Sequence, residues 1–449
     1  MDIQQVLKKI EEESIEFVRF EQGDTYGVAR TKIVPSEHFE EKATGGLLFY
    51  LGHLGFDPQA NIADNSGCNE ELGYPDALTF PALDTFTVLP YCENTARVIV
   101  EPTFKDTGKA VEACPRTVAR RQVDRLKELG YSMLVAHEHE FFVVDPKTKE
   151  PYTKGWNYLS TLRTYKDTAL IHQYMRDLKK MGISVEVCES EYGPGQLEID
   201  YKPSFGIKSA DTAHAFRGAV KEIAQQRGYI ATFMTKPWPE FNGSSCHFNH
   251  SLWDIEGKRG LMFDESRPNK LSELAEHWLA GLLAHAPAMT LLLAPTINCL
   301  KRFKPYTFAP VNVTWGIDNR TTQLRVKVGG EKGTYVENRM GAAGGNPYIA
   351  LAANIAAGID GIQRKLTLPP EVKGDAYNPK SLPPRTPNIP TDMKEALACF
   401  ANDEIIRDAL GEDFCKCFSA LKVHELKLET EAKAKGDGNW EQDMFMEYL

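Results

Sequence analysis

The stretch His137 to Asp145, HEHEFFVVD, sets two glutamates two residues apart in front of a β-branched and aromatic run. Such a run predicts a strand. Strand residues i and i+2 point to the same face, so Glu138 and Glu140 stand side by side. Like charges that close raise each other's pKa unless a cation sits between them. The chain must therefore fold into a sheet with one face polar enough to need something charged against it.

Other segments supply the same kind of face. GQLEIDY places Gln196, Glu198 and Asp200 on one side and Leu197 and Ile199 on the other, with Glu191 on the preceding turn ESEYGPG. CHFNHSLW aligns His247, Asn249 and Ser251, YVENR pairs Glu337 with Arg339, and Arg320 and Arg325 bracket RTTQLR. A sheet face this polar is unfavourable unless a charged group fills it. The carboxylate majority points to Mg²⁺ or Mn²⁺, which prefer oxygen ligands, and one histidine suits Mn²⁺. Arginines beside such metals suggest a clamped phosphate, the general layout for phosphoryl transfer. Each feature alone also has a bland role: Glu-x-Glu as a solvated edge, His247 as a hydrogen-bonded histidine, the arginines as ion-pair partners, Gly193-Pro194-Gly195 as a tight turn. Their joint occurrence in this order carries the functional reading.

The totals exclude some classes. A formal charge of −10 over 449 residues argues against general nucleic-acid binding. No run of eighteen apolar residues suggests a membrane span, and the charged opening MDIQQVLKKIEEES predicts a helix rather than a signal peptide. Nine dispersed cysteines without a CxxC pair fit reduced thiols and a cytoplasmic location.

Residues 15–35 read as a hairpin around Gln22-Gly23-Asp24, and a second strand group spans 84–101, with a loop-rich segment between. A domain boundary is expected near 103–106. Beyond it, strands are predicted near 131–145, 183–188, 196–201, 229–237, 244–253, 310–316, 321–328 and 334–339. Helices are predicted over 115–130, 166–181, 207–228, 270–290 and 347–365. A proline-rich connector (377–390) precedes a helical tail. Strands mixed with outer helices predict an α+β domain.

Taken together, HEHEFF, GPGQLEI, FNGSSCHFNHSLW, APTINCLKRFKP, DNRTTQLRV and ENRMGAAGGNPYIALAANIAAGIDGI resemble the motifs of the glutamine synthetase family, class I type, over about Glu16 to Ile362. The last of these is most similar to the lengsin and γ-glutamyl-amine ligase-like branch. The resemblance implies an α+β fold with a small N-terminal β-grasp-like domain (1–103). A catalytic domain (104–449) would follow, with a curved antiparallel sheet flanked by helices. It implies Glu140, Glu191 and Glu198 on one metal, and Glu138, His247 and Glu337 on the metal that meets the ATP phosphates. Asn242, Gly243, Arg302 and Arg339 would bind the amino-acid substrate. Arg320 and Arg325 would be catalytic, stabilising the transferred phosphoryl group, and Ser251 would lie near the nucleotide. The implied reaction is ATP-dependent: glutamate's side-chain carboxylate takes the γ-phosphate and an amine displaces it. The implied partner is the chain itself, in two stacked hexameric rings.

The sequence also departs from the family pattern. Phe308 stands where the family's flap segment has a glutamate that helps deprotonate ammonium. The N-terminal DGSS segment has no counterpart, the second histidine of HxH is Asn249, and Tyr335 replaces an arginine. The expectation that follows is a ligase for an amine larger than ammonium; the alternatives are a lengsin-like structural or binding protein without turnover, or glutamine synthetase proper.

Overall fold

A computed structural model of the chain describes residues 1–155 and 158–449. The charged opening forms helix α1 (Ile3–Glu12), started by a capping box in which Asp2 and Gln5 bond reciprocally. Strands β1 (Phe17–Gly23) and β2 (Ala29–Pro35) form the expected hairpin. Its turn falls later than expected: Gln22 and Gly23 still pair with Arg30 and Ala29. The Asp24 carboxylate accepts from Val28 N at 2.9 Å and Arg30 Nε at 2.8 Å, which moves the turn to 24–28. Helix α2 (Phe39–Gly45) and strands β3 (Leu47–Tyr50), β4 (Asp76–Pro81), β5 (Thr87–Val88) and β6 (Thr95–Phe104) complete a six-stranded mixed sheet ordered β2-β1-β6-β4-β3, with β5 on β6. Its central pair, β1 and β6, is parallel.

Helix α3 (Pro115–Glu128) leads into β7 (Tyr131–Val144), the spine of a second, nine-stranded sheet. The chain continues through α4 (Thr161–Lys180), β8 (Val185–Ser190), β9 (Gln196–Tyr201), β10 (Ser204–Phe205), α5 (Ile207–Gln226), β11 (Ile230–Thr232) and β12 (Cys246–Asp254). Helices α6 (Glu273–Ala284), α7 (Ala286–Leu293) and α8 (Ile297–Leu300) precede β13 (Trp315–Ile317), β14 (Leu324–Lys327) and β15 (Tyr335–Asn338). Helix α9 (Pro347–Arg364) and the tail helices α10 (Met393–Asn402), α11 (Glu404–Leu410), α12 (Glu412–Lys435) and α13 (Trp440–Phe445) finish the chain. The sheet runs β13-β14-β15-β12-β7-β9-β8, with β10 and β11 also on β7; its pairs are antiparallel except β13 with β14. This is the curved α+β architecture expected.

The expected helix over 270–290 is two helices. They meet at His285, where Pro287 starts the second: proline lacks the N–H an unbroken helix would use. Alternation on β7 and β9 decides the layers. Phe141, Val143, Leu197 and Ile199 pack on α4 and α5 through Tyr174, Leu178, Phe216 and Ala219. The helices α6 and α9 lie closer than side chains allow. A Cβ on Gly361 would sit 2.1 Å from the His277 carbonyl, and one on Gly281 2.2 Å from that of Ala357. Glycine is what permits this approach.

Candidate active site

The polar face of the second sheet lines a cavity of about 500 Å³. Each strand contributes by register. His247 of β12 stands opposite Glu138 of β7, and Asn249 opposite Glu337 of β15. Glu140 stands opposite Glu198 of β9, which is in turn opposite Glu189 of β8, and Arg325 of β14 is opposite Glu337. The alternate residues His137 and His139 face the other way and are buried, His139 with its ring 4.9 Å from that of Phe216.

Among the described residues, two groups of candidate ligands result on this face, and a third, His137, His139 and Cys246, is buried. The first is Glu138, His247 and Glu337, whose ligand atoms lie within 4.8 Å of one another. His247 Nδ1 is 2.8 Å from Glu138 Oε1 and 3.3 Å from Glu337 Oε1. Burial, then the charge of Arg339, brings the His247 pKa down to about 3, so the imidazole is neutral, the form that ligates metals. Asn249 Nδ2 donates to Glu138 Oε2 at 3.2 Å, holding the other carboxylate oxygen.

The second group is Glu189, Glu191 and Glu198, again within 4.8 Å. Burial and the charges of neighbouring acids push Glu191 up to about 8 and Glu198 up to about 11, with Asp200 at about 7. Carboxylates this crowded hold their charges only beside a cation. Their all-oxygen donor set fits Mg²⁺ or Mn²⁺, and the first group, with one imidazole, fits Mn²⁺. Glu140, expected with Glu191 and Glu198, lines the same cavity, but Ser245 N donates to it at 2.9 Å and Gln196 Nε2 at 3.1 Å, and Ser245 Oγ bonds it too. Glu189 lies in the cluster as well. Sequence reasoning missed Glu189 because the predicted strand stopped at 188; in-register pairing with Glu198 was the signal that would have found it.

Four arginines line the cavity as well. Arg325 donates from Nη1 to Glu337 at 3.1 Å and from Nη2 to Asp318 at 2.6 Å. Arg339 pairs with Glu337 and donates to the Phe308 carbonyl at 3.0 Å. Arg302 is buried and donates to the Arg339 carbonyl at 3.1 Å; burial lowers its pKa to about 10, so an anion close by would stabilise its charge. Arg320 is exposed at the rim. Asn242 and Gly243 line the cavity beside Arg302, whose Cβ would be 3.0 Å from a Cβ on Gly243. Phe308 opens onto the cavity at φ +58, a strained region for an aromatic residue. Ser251 lies in an adjoining cavity of about 370 Å³ with Asn249 and Tyr335, and its Oγ accepts from Trp253 Nε1 at 2.9 Å. Glu138 and Asp200 line both cavities.

Comparison with known proteins shows the family and the fold. The family described as "Glutamine synthetase, catalytic domain" matches residues 112–440. Lengsin of Rattus norvegicus is 36% identical over 441 residues, covering 97% of this chain and 76% of that protein. The glutamate–isopropylamine ligase of a Pseudomonas species is 30% identical over 452 residues, covering 98% and 97%. The solved structure titled "GmaS/ADP complex-Conformation 1" superposes with a TM-score of 0.85 at 24% identity, covering 96% of this chain and 99% of that one, a likeness of fold. Among the described residues no helix is long and apolar enough to cross a membrane.

Proposed function

The chain belongs to the glutamine synthetase family, and from that premise we propose that it is an ATP-dependent carboxylate–amine ligase acting on glutamate or a similar acid and an amine larger than ammonium. The observation that carries the proposal is one cavity lined by acids of two clusters and by Arg302, Arg320, Arg325 and Arg339, with Phe308 on its wall. Divalent cations held by Glu138, His247 and Glu337 and by Glu189, Glu191 and Glu198, with Glu140 beside them, would supply positive charge to phosphoryl oxygens.

The protein's own residues divide the remaining work. Arg302, Arg339, Asn242 and Gly243 orient the acid, the buried Arg302 guanidinium offering a carboxylate a charge-assisted bond. Arg325 and Arg320 face the phosphoryl group, whose γ-phosphorus is attacked by the acid's side-chain oxygen with departure of ADP. The amine nitrogen then attacks the resulting acyl phosphate, forming the amide and releasing phosphate. Ser251 and Tyr335, in the adjoining cavity, lie where the nucleotide would reach Glu138. Phe308 offers an amine apolar surface and no base, which disfavours ammonium and favours a substituted amine.

The likeness to lengsin along nearly the whole chain favours a second reading, a metal-loaded structural protein without turnover. The proteins can be told apart by incubating the chain with ATP, Mg²⁺ and glutamate across a panel of amines and identifying products by mass. A γ-glutamyl amide supports the ligase. No product from any amine, with ADP still bound, supports the structural reading. Self-association into the stacked rings that the resemblance implies is the corresponding proposal for this chain, tested by sedimentation.

A further inference from the structure

Most of the cavity lining is charged or amide; the large apolar surfaces lie at its rim. Tyr158 and Tyr192 stack there with ring centroids 4.5 Å apart and planes 8° from parallel, each 40% exposed. Phe308, 49% exposed, opens onto the same cavity. Half-exposed aromatic rings at the mouth of a polar cavity mark a surface that gains by being covered.

The stack is built in. Leu159 N donates to the Ser190 carbonyl at 3.1 Å, tying the segment after Tyr158 to the end of β8. Ser160 then caps α4 by accepting from Arg163 N. On the other side, Tyr192 N donates to Glu191 Oε2 at 3.1 Å, and Gly193 N donates to Gln196 Oε1 at 2.8 Å, closing the loop beneath the ring. Burial, then the charges of Glu191 and Glu189, hold the Tyr158 phenol above its ordinary pKa.

Resting on the ligase reading above, we infer that the Tyr158–Tyr192 stack receives the substituent of the amine, with Phe308 as a further apolar wall, and that the substituent is an aromatic ring on a short alkyl arm. The arginines suit the acid and the phosphoryl oxygens, and the glutamates face cations. Among the described lining residues, the rings offer the large apolar surfaces. A parallel pair of phenols presents a flat face that takes a third ring in an offset stack, a contact an alkyl chain matches poorly. A second ammonium on the substituent would meet the cations expected at Glu189, Glu191 and Glu198.

The test measures kcat/KM with glutamate, ATP and Mg²⁺ for ammonium, methylamine, butane-1,4-diamine and 2-phenylethylamine. It uses the wild type, Tyr192→Val, Tyr192→Phe and Tyr158→Leu, with ADP affinity measured on each to confirm folding. The wild type should prefer 2-phenylethylamine. Tyr192→Val and Tyr158→Leu should each lower the ratio of 2-phenylethylamine to methylamine about tenfold or more, through KM, and Tyr192→Phe should restore it. A ratio unmoved by both variants, or a preference for the diamine, overturns the inference and leaves the ligase standing. No product from the wild type with any amine overturns both.

Discussion

Glu140 of β7 and Glu198 of β9 stand directly opposite each other, yet their carboxylates have different surroundings. Glu140 is held by Ser245 and Gln196, whereas burial and the charges of Glu138, Glu140, Asp200 and Glu191 push Glu198 up to about 11. The first carboxylate is positioned by hydrogen bonds; the second is crowded by other acids.

Glu198→Gln should therefore act in opposite directions on two measurements. Calorimetric titration should show Mn²⁺ binding at least about tenfold weaker. The metal-free protein should melt slightly higher, by about 2 °C for ~1 kcal/mol, because an amide, unlike this carboxyl group, need not take up a proton to be buried among the other acids. Unchanged Mn²⁺ affinity would remove Glu198 from the metal site.

Phe308→Glu should shift amine preference toward ammonium, but only in part. The new carboxylate would accept a proton from bound ammonium, while no DGSS segment supplies a second acid. Competition between ammonium and a substituted amine, read by product mass, measures the shift. Efficient glutamine formation by the wild type would show that Phe308 does not exclude ammonium.

His285 couples stability to pH. Its Nδ1 lies 2.6 Å from Asp403 Oδ2 and its Nε2 2.9 Å from Asp360 Oδ2, joining the start of α7 to α9 and α11. Burial favours the neutral ring, but the two carboxylates outweigh it and raise the pKa. The contribution is thus complete below the unfolded value near 6.5 and is lost as pH rises through the raised folded value. His285→Asn should melt lower than the wild type, the loss of charged hydrogen bonds amounting to ~1–3 kcal/mol. The gap should be widest near about pH 6 and narrow toward about pH 9. A gap that widens with pH contradicts the assignment.

Gly361→Ala tests the α6–α9 contact. Alanine favours a helix by about 1 kcal/mol over glycine, but here its Cβ would sit 2.1 Å from the His277 carbonyl and force the helices apart. The net loss should be ~1–3 kcal/mol or more by denaturant titration. A stabilised variant would mean that the helices separate freely.

The sequence by itself determined which side chains share a face. Alternation is local, so Glu138 with Glu140, Gln196 with Glu198 and Asp200, and His247 with Asn249 were legible from spacing, as were the helices at 115–128, 207–226 and 347–364. The metal chemistry followed from the residue types on that face. Tertiary structure decided what lies across from what. Register between β8 and β9 placed Glu189 beside Glu198, and Ser245 and Gln196 drew in Glu140. The turn after Ser190 brought Tyr158 onto Tyr192. Pro287 divided one predicted helix at His285, and the Asp24 carboxylate moved the hairpin turn. Register and loop closure depend on contacts between segments remote in the chain, which no local period encodes.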